Sequence, residues 1–205
     1  RRYLASIPQI GRDERWKDRN IEEPKEKISK YVYKKIKKKS AVALIYHGDY
    51  SWDRKENYLL QSLAEVVNIR LREKIREEEG GTYGVGVYAN LSHYPEDEYK
   101  FNIVFMCDPL RAEQLSEAVL KEIENIKEGG LDQSYAERVK EIQRKQREEN
   151  LKKNNFWAGT LEERFFHKQE PETILEYENL VNSLSMEEIK VAAEKYLKDD
   201  RYVHV

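Results

Sequence analysis

Cysteine is nearly missing from this chain. Cys107 is the only one in 205 residues, which excludes an intrachain disulfide and any zinc site built from several thiolates. Long apolar runs are missing too: none reaches the roughly 20 residues of a membrane span, and there is no secretory apolar segment. Neither sign of charge dominates. With 37 Lys and Arg against 39 Asp and Glu, the formal charge is −2, so no whole-chain field favours nucleic acid or an anionic membrane surface. Histidine is sparse, and His47, His93, His167 and His204 fall in no HxxxH, HExxH or HxxEH pattern. A metal site needs several converging ligands, so none is expected in this chain.

What is present is charge and rings. Charged residues make up 37%, in keeping with Lys and Glu on the outer faces of helices, and 14 tyrosines predict a core of rings with polar tips. The length suits one domain with an appended arm. Residues 1–26, broken by Pro8, Gly11 and Pro24, read as a lead-in from a preceding region, with Trp16 as a possible anchor; residues 27–205 read as a single domain. The chain begins at Arg1 and stops inside the strand-like RYVHV, which leads us to expect a piece excised from a longer protein.

Along that domain, Ala41–Tyr46 is a continuous apolar run, expected to be an interior strand buried on both faces. Ser51 or Asp53 is the expected cap of a long helix whose core face is Leu60, Leu63, Val67 and Leu71. Gly80 and Gly81 end it, because glycine takes positive φ without steric penalty. A strand of alternating character follows to about Ser92, then a hairpin connection through His93–Asp97 and a second strand with Tyr99, Phe101, Ile103 and Phe105 on one face. Asp108-Pro109 starts a helix carrying Leu115, Val119, Ile123 and Ile126. Another helix begins at Asp132 and runs on through a polar stretch until Glu170-Pro171 breaks it; two more follow, the last opened by Ser185 with Glu188 as a capping box, and a final strand returns to the sheet. Segregated strands and helices predict an α+β fold, a mixed and largely antiparallel sheet with helices packed on one face.

The helix-to-strand join places Arg76, in the last helical turn, near Tyr83, at the start of the strand. A guanidinium and a phenol side by side are two donors for one carbonyl or anionic oxygen. The plainer reading pairs Arg76 with Glu77, Glu78 or Glu79 and lets Tyr83 pack. The glycines of GTYGVGV follow a helix, whereas a phosphate loop follows a strand, so dinucleotide binding is rejected. Gly84 and Gly86 instead thin one strand face where another backbone can approach. The lysines of residues 34–39 read as a solvated sheet edge, and Cys107 as a small buried hydrophobe.

LREKIREEEGGTYGVGV, FMCDP, LKKNNFWAGTL and SMEEIKVAAEKYLKDDRYVHV together resemble the C-terminal half of the pitrilysin and insulin-degrading-enzyme family of zinc peptidases, in its bacterial single-chain form. The resemblance implies a half without zinc, inactive alone because HxxEH is absent, that closes a chamber over an N-terminal zinc-bearing half on the same polypeptide or a partner. It implies that Arg76 and Tyr83 reach the substrate carbonyl, that Gly81, Thr82 and Gly84 contact an unfolded peptide held as an added strand, and that the cofactor, zinc, belongs to the other half. The alternative is a catalytically inactive structural or peptide-binding scaffold of the same family. Neither nucleic acid nor membrane is an expected partner, and the compartment, periplasm or cytoplasm, stays open.

Overall fold

A computed structural model describes residues 22–33, 39–78, 80 and 82–205, with isolated positions 3, 8, 11, 15, 17 and 19 before them; the side chains of Glu77, Glu78 and Tyr83 lie outside that description. Trp16 and most of the lysine cluster also lie outside the described residues.

Among the described residues five strands form one sheet: β1 (Ile28–Ser29), β2 (Ser40–Asp49), β3 (Thr82–Ser92), β4 (Glu98–Cys107) and β5 (Tyr202–His204). Their order is β1-β5-β2-β4-β3, with β1 and β5 parallel and every other pair antiparallel. The last strand therefore slots between the first two, and β3 ends the sheet with one side unpaired among the described residues. Among the described residues six α-helices follow or interrupt the strands: α1 (Arg54–Leu71), α2 (Ala112–Lys127), α3 (Ser134–Leu151), α4 (Asn154–Phe166), α5 (Tyr177–Ser183) and α6 (Met186–Tyr196). This is the mixed, largely antiparallel α+β sheet expected from the order of its elements.

Period explains the core. Leu60, Leu63, Val67 and Leu71 of α1 are all fully buried, as are Leu115, Val119, Ile123 and Ile126 of α2. They meet Val42, Leu44 and Tyr46 of β2 and Phe101, Ile103 and Phe105 of β4, which point to the helical side. The other face of β2 corrects the expectation of two-sided burial: Ala41 is exposed and Ala43 and Ile45 are only half-buried. Two of these outward residues are alanines, and no second layer among the described residues covers them.

Capping fixes where helices begin. Asp53 accepts from the backbone N–H of Lys55 (2.8 Å) and Glu56 (3.1 Å). Ser185 accepts from Glu188 N–H at 3.2 Å, but the Glu188 carboxylate turns to Lys55 at 2.7 Å, so only half of the capping box forms. The long polar helix expected to run on to Glu170 is two helices. Lys153 is extended (φ −108°, ψ 125°), the Trp157 indole donates to the carbonyl of Leu151 at 2.9 Å, and the Arg147 guanidinium lies 4.9 Å from the Phe156 ring, folding α4 back against α3.

A polar seam joins α1 to α3. Tyr58 donates to Gln143 at 2.7 Å, and the Gln143 amide donates to Ser62 (3.0 Å) and to the Glu65 carboxylate (3.1 Å). Burial raises the Glu65 carboxyl to about 7, against the one donor that Gln143 gives its charged form. The folded chain thus holds this proton more tightly than the unfolded chain. Stability contributed here is present at acid pH and is lost as pH rises from the ordinary carboxylate range through about 7. Urea unfolding at pH 5 and pH 8 should show wild type losing stability across that interval, while Glu65→Gln, which retains an acceptor for Gln143, loses less and is the more stable at pH 8. Identical pH profiles would refute this.

Candidate functional site

Beyond Leu71 the first long helix continues as a π-helical segment, Arg72–Glu78. It packs against β3 and α2, and Ile75 within it is fully buried. Glu73 ties it sideways to α3, accepting from the Tyr135 hydroxyl and an Arg138 nitrogen at 2.6 Å each. Burial pushes the Glu73 carboxyl up, yet these two donors outweigh it and hold the group below its usual value. Just before the segment, Arg70 hydrogen-bonds Glu122 of α2. The segment is thus fixed from beneath and from one side.

Arg76 follows Ile75 directly and is exposed, with no hydrogen-bond or ion-pair partner among the described residues. Gly80 then takes φ +57°, the left-handed turn that ends a helix. Gly81 lies outside the described residues. Thr82 opens β3 opposite Cys107, while Gly84 stands opposite Met106, so Tyr83 is the extra residue of a β-bulge. The Thr82 hydroxyl closes that bulge: it lies 2.7 Å from the Met106 carbonyl and accepts from Gly84 N–H at 3.1 Å. The backbone therefore holds Arg76 and Tyr83 at the two sides of one short connection.

Past the bulge, Gly84, Gly86, Tyr88 and Asn90 alternate outward and Val85 inward. A Cβ at Gly84 would meet nothing within 4 Å, and one at Gly86 only the Val104 carbonyl at 4.0 Å. Nothing within the described residues requires glycine at either place. With Ala41, Ala43, Val104 and Met106 beside them, they form a shallow strip of small and apolar side chains on the face that no helix among the described residues covers. At the far end of that face Glu23 reaches across to His47 Nδ1 (2.8 Å) and Lys100 (2.7 Å).

Two histidines far apart in sequence do meet. The Trp52 ring stacks on His93 (5.3 Å) and His167 (4.6 Å), and Tyr94 and Phe166 pack around them. Asp97 accepts from the backbone N–H of Trp52 at 3.1 Å, and its bond to His93 lowers its carboxyl from the usual range. This cluster locks the β3–β4 hairpin to the start of α1; only the tertiary fold creates it. Among the described residues no group of three or more His, Cys, Asp and Glu side chains could hold a metal ion, so these residues do not fit a zinc site.

A family model described as the peptidase M16 inactive domain matches residues 1–143. The chain belongs to this family. It is 28% identical over 207 residues to the probable zinc protease PqqL of Haemophilus influenzae, an alignment covering all of this chain and 22% of that protein. In fold it is similar to a protease from Helicobacter pylori (TM-score 0.80, 18% identity, 100% of this chain and 49% of that one). It is also similar to the periplasmic protease PqqL of Escherichia coli (TM-score 0.74, 16% identity, 88% and 20%). The M16 resemblance and the fold expected from it are thus borne out. The chain spans about a fifth of the curated relative it matches, and no helix among its described residues is long and apolar enough to cross a membrane.

The junction makes one prediction about this M16 domain. Since a Cβ at Gly80 meets nothing within 4 Å, Gly80→Ala carries only the left-handed backbone penalty. It should destabilise the fold by about 1–2 kcal/mol in chemical unfolding. No loss would mean that the turn relaxes freely.

Proposed function

We propose that this chain is the part of a zinc endopeptidase that carries no zinc, closing the substrate chamber and presenting Arg76 and Tyr83 to the carbonyl oxygen beside the scissile bond. The observation that carries this reading is Arg76: an exposed guanidinium without a partner among the described residues, set on a segment anchored by the fully buried Ile75. Guanidinium and phenol are both hydrogen-bond donors. Aimed at one oxygen, they stabilise the charge it gains as the carbonyl carbon becomes tetrahedral, provided they are already in place.

The substrate in this reading is an extended peptide. Its backbone adds to the unpaired side of β3, and Gly84 leaves room for it to approach. Gly81 and Thr82 contribute main-chain groups, since the Thr82 hydroxyl is engaged within the bulge. Zinc, which activates water in such peptidases, would be held by an N-terminal half on the same polypeptide or a partner. This chain on its own would be inactive. The periplasm, where the Escherichia coli relative is described, is the compartment this reading favours.

The alternative, a scaffold of the same family, needs no aligned donors. In the intact protein with its zinc-bearing half, Tyr83→Phe should lower turnover on the order of 100-fold or more. KM for an unfolded peptide should change little, because the donor acts on the transition state. A variant with unchanged turnover would leave the scaffold reading standing.

A further inference from the structure

On the helical side of the sheet, α1, α3, α4 and the chain from Thr173 to Leu180 enclose a cleft of about 260 Å³. Three arginines line it: Arg54 at the start of α1, Arg147 near the end of α3 and Arg164 near the end of α4. Each has a structural task. Arg54 bonds the Thr173 carbonyl and Glu176 (2.7 Å), Arg147 the Ile174 carbonyl, and Arg164 the Gln169 side chain. Together they pin the connection between α4 and α5.

Those tasks do not use up the donors, and Arg147 has no carboxylate beside it among the described residues. A guanidinium carries five N–H groups. The Arg164 Nε is buried and has no hydrogen-bond partner, and Glu163 lies 3.9 Å from that guanidinium, beyond hydrogen-bond distance. Arg147 has a neutral carbonyl and two ring faces, Phe156 at 4.9 Å and Tyr177 at 5.0 Å, as its neighbours. Burial, and then the cations of Arg164 and Arg54, make its charge harder to keep and lower its pKa. Glu176 and Glu163, the latter lining the cleft, offset part of the charge on Arg54 and Arg164; the Arg147 cation is left over, and Asn57, Gln61 and Thr160 add neutral hydrogen-bonding groups around it.

We infer that this cleft is a binding site for a small oxyanion, a phosphate or carboxylate group held among Arg54, Arg147 and Arg164. Planar guanidinium forks match such groups in shape and charge, and the stacked rings hold Arg147 in one orientation. The site lies away from Arg76 and the open sheet face, and does not depend on the peptidase reading.

Isothermal titration and thermal unfolding test it, with inorganic phosphate and acetate as separate probes and chloride at matched ionic strength as the control. Wild type should show saturable, single-site binding of one or both probes and a rise in midpoint that chloride does not give; the probe bound more tightly assigns the class. Arg164→Gln should weaken binding at least tenfold. Thr160→Glu places a carboxylate in the cleft, so it should abolish binding while raising the midpoint without ligand, and it decides the matter if Arg164→Gln fails to fold. Absence of binding beyond the chloride control, or binding that survives Thr160→Glu, would overturn the inference.

Discussion

Everything at the candidate site depends on the burial of Ile75. It is fully enclosed at the point where the helical layer gives its chain back to the sheet, and the next residue, Arg76, is exposed. A π-helical turn bonds i to i+5 and so rotates more slowly about its axis than α1 before it. That changed phase, the two bonds made by Glu73 and the left-handed turn at Gly80 together determine where β3 begins. If Ile75 were loose, neither the place of the Arg76 backbone nor the register of the edge strand would be fixed.

An edge strand with a bare face is a hazard that proteins usually suppress, with charges, proline or a covering element. β3 has a bulge at one end, at Thr82–Gly84, but its outward residues next to that bulge are glycines and a tyrosine rather than lysines. The helices cover only the opposite face. A sheet built for stability alone would fill the open side or charge it. Small residues there cost packing that the domain recovers on its other face, where Leu44, Phe101, Ile103 and Leu63 are all fully buried. An open floor and an edge unpaired among the described residues, at the same end of the sheet, support the proposal that β3 receives another backbone.

Much of this was legible in the sequence because it is periodic or local. The core faces of α1 and α2 follow from spacing, the Asp53 cap from one side chain, and the end of the first long helix from Gly80. What could not be read is what depends on neighbours distant in sequence. An apolar run cannot say which of its faces is covered, so β2 looked buried on both. The break after Leu151 has no glycine or proline to announce it, because it is enforced by Trp157 and Phe156 folding back. His93 and His167, or Arg54, Arg147 and Arg164, are isolated in sequence among ordinary surface charges and become clusters only when helices pack. At the site itself, Arg76 could be named from sequence, but the burial of Ile75 beneath it and the bulge at Thr82–Gly84 could not.

That distinction decides how much weight the arginine bears. An exposed guanidinium without a partner is cheap in water, so being unpaired is weak grounds for a role. A donor is useful to a reacting oxygen only if it need not reorganise when charge develops. Here the backbone carrying it is immobilised by a buried isoleucine, by a carboxylate bonded to two groups on α3, and by a bulge closed through a threonine hydroxyl, whereas the charged end is left open. A fixed base with an open tip leaves the Arg76 guanidinium available to a partner from outside the domain, which is the role proposed for it.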